Sequence, residues 1–125
     1  MLTLFSRYTV AGALGTAVHY TIMAIVLTTS DVPAIATGVG ALLGALVNFV
    51  LCRRWVFATR RSPAQDELLR FGLIALLCAL INACVVGILH LPIGVWPAQV
   101  MATSVTLIVG FRLNQRWSFG LYTRM

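Results

Sequence analysis

The sequence predicts an all-α membrane protein that crosses the bilayer with four helices. Three observations predict this class: 60% of the 125 residues are hydrophobic, only 10% are charged, and apolar runs of spanning length recur along the chain. Soluble domains carry about 25% charged residues, and a spanning helix needs about 20 mostly apolar residues. The chain therefore has room for four helices and no separate soluble domain, so we expect one transmembrane domain over residues 1–125.

The apolar runs give the approximate bounds of each predicted element. They place helices at about 8–29, 34–51, 71–89 and 96–113, with a polar cytoplasmic loop at 52–70. Within this loop, Ser62, Pro63 and Gln65 follow the pattern of an N-cap, a proline at N1 and a capping-box partner at N3. The third helix is therefore expected to start near Ser62, before it enters the lipid.

The basic residues predict a single orientation in the membrane. All nine are arginines: Arg7, then Arg53, Arg54, Arg60, Arg61 and Arg70, then Arg112, Arg116 and Arg124. Each falls on one side of a four-span arrangement, whereas Asp31 is the only charged residue of the two opposite loops. The positive-inside rule then places both termini in the cytoplasm. Because the arginines flank apolar runs, the net charge of +6 indicates anionic lipid, not nucleic acid.

The chain repeats itself after 62 or 63 residues. Arg7-Tyr8 aligns with Arg70-Phe71, and Arg54-Trp55-Val56-Phe57 aligns with Arg116-Trp117-Ser118-Phe119. The same shifts align small and polar residues that recur at helical spacing. Since each copy holds two spans, the sequence predicts two parallel two-helix repeats and not an inverted pair.

Polar residues lie on the small-residue faces of these helices. They are His19, Asn48, Asn82 and Gln99. An unpaired polar group in hydrocarbon costs several kcal/mol, so these residues must pair with each other or line a polar path that could hold a head group. The alternative is that the faces serve close packing alone, with Gly40 and Gly44 as a small-xxx-small contact. We also expect a homodimer or higher oligomer with these glycines at a close contact.

Arginine forms forked hydrogen bonds with phosphate oxygens, which makes the basic clusters candidate lipid-phosphate sites. The candidates are Arg7, Arg53, Arg54, Arg70, Arg112 and Arg116. Trp55 and Trp117 lie where an aromatic belt belongs and could also flank a sugar. General topogenic charge is the alternative, and it explains the repeated Arg-Trp-x-Phe register less well.

Catalysis and metal binding are not expected. The carboxylates are Asp31, Asp66 and Glu67, in loops or at a helix start, where Asp66 and Glu67 favour the helix first turn and reach Arg70. The cysteines, Cys52, Cys78 and Cys84, have neither metal-ligand nor disulfide spacing. His19 could relay protons, but a packing histidine is more common in such a position. We therefore expect a protein that is not an enzyme and has no cofactor.

Three segments resemble the GtrA-like family of small four-span membrane proteins: Arg7 to Thr16, Asn48 to Phe57, and Arg116-Trp117-Ser118-Phe119. The resemblance points to Asn48, Phe49, Arg53 or Arg54, Trp55 and Phe57 as functional residues. The second copy departs from the motif, with Gly110 at the counterpart of Asn48 and Ser118 in place of valine.

The resemblance implies a part in cell-surface polysaccharide synthesis. The implied activity is flipping of a polyprenyl-phosphate-linked sugar, made by a partner membrane glycosyltransferase, across the cytoplasmic (inner) membrane. Two alternatives stay open. One is a scaffold that recruits or stabilises the glycosyltransferase without transport. The other, ranked last, is a small multidrug-type exporter, since the first helix has no membrane-embedded glutamate and the charge bias is extreme.

Overall fold

A computed structural model describes residues 1–58 and 63–120 of the chain. Its four α-helices are α1 (Leu2–Leu27), α2 (Pro33–Leu51), α3 (Ala64–Ile93) and α4 (Val95–Leu113). Every regular element of the described residues is helical. The prediction of an all-α protein is confirmed.

The chain divides into two compact units, Met1–Ala58 and Thr59–Met125. In the first unit α1 packs against α2, and in the second α3 packs against α4. The second helix of each unit continues directly into a single π-helical turn, at Cys52–Val56 and at Asn114–Ser118. These turns fall on positions that the 62-residue shift aligns, and both carry the repeated Arg-Trp pair.

Three of the helical segments are long and apolar enough to cross a bilayer, among the residues that the structure describes: Leu2–Leu27, Ile35–Val56 and Ala64–Ile93. Helix α4 has 19 residues, which corresponds to about 28 Å and approaches the roughly 30 Å hydrocarbon core. Its polar residues, among them Gln99, Thr103 and Thr106, make it less apolar than the other three. The chain is thus a multi-pass membrane protein, and a fourth span at α4 stays a prediction.

Two helices are longer than predicted. Helix α1 begins at Leu2 and not near residue 8. Arg7 does not end the helix, because its long side chain can carry the charge to the interface from within a helical turn. Helix α3 begins at Ala64 and runs to Ile93, so the predicted loop at 52–70 is shorter. Its last turn tolerates Pro92, and Gly94 ends it with a φ of 88°.

The predicted cap of α3 is only partly testable, since Ser62 lies outside the described residues. Pro63 occupies the N-cap position and not N1. Its ψ of 143° is extended, so the helical conformation starts one residue later than predicted.

Candidate functional site

In the first unit, the end of the helix pair near the π-helical turn is built from aromatic rings and an arginine. The guanidinium of Arg7 lies 5.8 Å from the centroid of the Trp55 ring, within cation–π range. Tyr8 and Phe57 are buried, with ring centroids 6.0 Å apart. Trp55 itself stays 40% exposed, as expected for a ring at a membrane interface.

The second unit builds the same arrangement from the equivalent positions. Phe71 and Phe119 pack edge to face with ring centroids 6.2 Å apart, whereas the equivalent Tyr8 and Phe57 rings of the first unit are tilted by 53°. Arg70 Nη1 donates a hydrogen bond to the carbonyl oxygen of Trp117 at 3.2 Å. The arginine that contacts each tryptophan therefore comes from the first helix of the unit and not from the neighbouring position in the sequence.

The predicted phosphate-binding arginines divide by exposure. Arg7, Arg54, Arg112 and Arg116 are exposed, whereas Arg53 and Arg70 are half-buried. Arg60, Arg61 and Arg124 lie outside the described residues. In each unit the π-helical turn thus presents an exposed arginine directly before a tryptophan. The guanidinium of such an arginine can donate two parallel hydrogen bonds to the phosphate of a lipid.

A polar groove of about 160 Å³ lies between α1 and α2. It is lined by Gly12, Gly15, Thr16, His19, Ala41, Gly44, Ala45 and Asn48. The Nε2 atom of His19 is buried, and no described residue hydrogen-bonds it. The Tyr20 ring stacks on the His19 ring with centroids 5.2 Å apart. Asn48 Oδ1 accepts a hydrogen bond from the Cys52 thiol at 3.5 Å, which links the groove to the π-helical turn.

Glycines let α1 and α2 approach to backbone contact. A Cβ atom on Gly44 would lie 2.5 Å from the Gly15 carbonyl oxygen, and one on Gly40 would lie 2.6 Å from the His19 carbonyl oxygen. The expected small-xxx-small contact therefore exists, but within the protomer. The expectation that Gly40 and Gly44 form a close contact between protomers is wrong, because α1 already covers them.

In the second unit the polar residues are used differently. Gln99 Nε2 donates to Asn82 Oδ1 at 3.4 Å and to Thr103 Oγ1 at 3.1 Å. The four predicted polar residues thus satisfy both halves of the expectation. Asn82 and Gln99 pair with each other, whereas His19 and Asn48 line a groove.

One comparison with known proteins bears on this arrangement. A family model described as the GtrA/DPMS transmembrane domain matches residues 7–120. The chain belongs to the GtrA/DPMS family. It is therefore a GtrA-family membrane protein involved in glycan synthesis. No curated relative matches it.

The matched GtrA/DPMS segment contains buried polar residues that sequence reasoning missed. Glu67, Asn114 and Ser118 are nearly inaccessible, although Glu67 was expected to act only through the helix first turn and Arg70. Ser118 Oγ donates to Asn114 Oδ1 at 2.8 Å, inside the second π-helical turn. The repeat contained a signal for this burial, because the shift of 62 residues aligns Asn114 with Cys52 and Ser118 with Val56, which are both buried.

Proposed function

We propose that this GtrA/DPMS protein flips a polyprenyl-phosphate-linked sugar across the cytoplasmic membrane. The observation that carries the proposal is the pair of π-helical turns, each with an exposed arginine directly before a half-exposed tryptophan. These pairs are Arg54 with Trp55, and Arg116 with Trp117. Each follows an apolar helix, which is where the phosphate of an embedded lipid lies.

The chemistry of the arginine supports a phosphate ligand. A guanidinium offers two parallel N–H donors to two phosphate oxygens, and such charge-assisted bonds are roughly twice as strong as neutral ones. A tryptophan ring prefers the head-group level and can pack against a sugar that is joined to the phosphate. Arg7 and Arg70 support this arrangement from the adjacent helix, since they contact Trp55 and Trp117.

The proposal includes four spans and both termini in the cytoplasm, in two copies of one helical hairpin. The one-sided arginines support the orientation. The equivalent ring pairs and π-helical turns of the two units support the repeat. With two spans in each copy, the copies are parallel, and the positively charged side faces the anionic leaflet of the inner membrane.

We further propose a homo-oligomer that receives its substrate from a membrane glycosyltransferase. Large apolar side chains stay exposed along the helices, for example Leu42 at 64% and Leu76 at 60%, and lipid or a second protein surface must cover them. The close glycine contacts are internal, so a protomer interface would use such larger residues. The mass of the protein–nanodisc particle tests this point, and an active monomer would contradict it.

Reconstituted transport tests the main proposal. Proteoliposomes with the purified chain are loaded with a fluorescent polyprenyl-phosphate-glucose, and a membrane-impermeant reagent then reports how much label reaches each leaflet. We expect protein-dependent exchange that Arg54→Ala slows. Lipid binding with no exchange above protein-free vesicles would reject flipping and favour the scaffold that recruits a glycosyltransferase.

A further inference from the structure

The groove between α1 and α2 contains hydrogen-bonding groups that the protein does not satisfy by itself. His19 Nε2 is buried, and among the described residues it has no hydrogen-bond partner. A polar atom in that state inside a membrane span costs several kcal/mol. The equivalent position of the second unit, Asn82, has a partner in Gln99. The unsatisfied group is therefore a feature of one unit and not a property of the repeat.

The other polar groups of the groove complement His19. Asn48 accepts from the Cys52 thiol through Oδ1, which leaves its amide nitrogen as a donor. Thr16 donates to the Gly12 carbonyl oxygen at 3.0 Å, which leaves its oxygen lone pairs as acceptors. The groove thus combines an amide donor, a hydroxyl acceptor and an imidazole nitrogen.

This combination selects the ligand class. Among the described residues, the groove is lined by no arginine, lysine, aspartate or glutamate, so it offers no guanidinium or ammonium for a phosphate and no carboxylate for a cation. A hydroxyl group both donates and accepts, so it can bond to Nε2 in either tautomer of His19. Sites for drug-sized molecules measure about 300–1,000 Å³, and the smaller volume of this groove, about 160 Å³, suits a small polar group such as a single sugar.

We propose that this groove binds the sugar of the lipid-linked ligand through His19, Asn48 and Thr16. The inference rests on the proposed function and deepens it, because it assigns the sugar and the phosphate to separate sites of the first unit. The hydrogen bond from Cys52 to Asn48 joins the groove to the π-helical turn that carries Arg54.

The direct test observes His19 in the unaltered protein. Full-length protein labelled with ¹⁵N-histidine is placed in nanodiscs, and the His90→Gln variant identifies the His19 resonances. The probes are a polyprenyl phosphate and its glucosyl, mannosyl and galactosyl derivatives of the same chain length. We expect at least one glycosylated lipid to shift the His19 Nε2 resonance and the sugar-free lipid to leave it unchanged. An equal shift with the sugar-free lipid, or no shift with any of the three, overturns the proposal.

A second measurement separates this inference from the proposed function. The ratio of the affinities for glycosylated and sugar-free lipid should fall about threefold to tenfold in His19→Leu, the effect of one lost hydrogen bond. His19→Gln should restore part of the ratio. Ser104→Ala, on α4 of the second unit where, among the described residues, the hydroxyl bonds only to the Val100 carbonyl oxygen of the same helix, should leave it unchanged. If the wild type binds neither lipid, the proposed function fails. If the wild type binds both lipids and the affinity ratio is the same in His19→Leu as in the wild type, only the proposed sugar site is rejected.

Discussion

Arg54 and Arg116 differ from the other motif arginines in what surrounds them. Arg7 contacts the Trp55 ring in the first unit, and Arg70 donates a hydrogen bond to the Trp117 carbonyl oxygen in the second. Each of these arginines therefore helps to hold the helix pair of its own unit together. Arg54 and Arg116 are exposed on the π-helical turns. A residue that holds the fold and a residue that binds a ligand should respond differently to substitution.

Substitution of Arg54 tests the phosphate contact. We expect Arg54→Ala to weaken binding of polyprenyl-phosphate-glucose by roughly ten- to a hundredfold, because a hydrogen bond to a charged group contributes about 1.5–3 kcal/mol. Arg54→Lys should lie between wild type and alanine, since lysine keeps the charge and loses the fork. Arg116→Ala should resemble Arg54→Ala. Binding is measured in nanodiscs at matched expression and topology.

Arg60→Ala is the matched control, since it removes the same charge from the same predicted side without touching a motif arginine. It should leave the affinity within about twofold of wild type, because salt screens a charge that does not bind the phosphate directly. If all four variants bind as wild type does, the arginines serve only topology.

At the level of the helix pair, the first unit depends on small side chains. In Gly44→Ala the new Cβ meets the Gly15 carbonyl oxygen at 2.5 Å, and neither backbone can move without separating α1 from α2. We expect a loss of about 1–3 kcal/mol in the free energy of unfolding, as for other overpacked cores. Unfolding by sodium dodecyl sulfate, followed by circular dichroism, measures it.

Gly38→Ala provides the control on the same helix. A Cβ on Gly38 meets nothing within 4 Å, so this variant should match the wild type or gain up to about 1 kcal/mol from the better helix former. Equal losses in both variants would mean that the loss in Gly44→Ala does not come from its contact with α1.

The sequence predicted the helix pairs better than the contacts inside them. Hydropathy located α2 and α4 closely, since long apolar runs are strong signals. The start of α1 was missed because its first turns include a charged residue that hydropathy assigns to a loop, and the end of α3 was missed because its last turn tolerates Pro92. The capping pattern at Ser62 predicted the start of α3 to within two residues of Ala64. The π-helical turns, the burial of Glu67 and the contact of Arg7 with Trp55 depend on packing between helices, which no single-sequence pattern encodes.

At the scale of the whole molecule, the charge distribution predicts one orientation. In a variant with Cys52, Cys78 and Cys84 replaced by alanine, a new cysteine at Asp31 should react with an impermeant reagent only from outside, and one at Ser62 only from inside. For the second outer loop, Val95 is a better reporter than Gly94, whose φ of 88° disfavours any side chain. Labelling of one position from both sides would contradict a single topology.

The helix pair of the first unit and the helix pair of the second unit are each held together by a different kind of contact. This difference should appear in the substitutions that relatives carry. Between α1 and α2 the backbones are in contact at Gly15 and Gly44, so any larger side chain at these positions would clash with the facing helix. Between α3 and α4, Gln99 donates a hydrogen bond to Asn82. Substitutions at these two positions are limited by the need to keep a donor and an acceptor, so a change in one residue requires a compensating change in the other. In relatives that keep both features, we expect near-invariance at Gly15 and Gly44 and correlated substitution at Asn82 and Gln99.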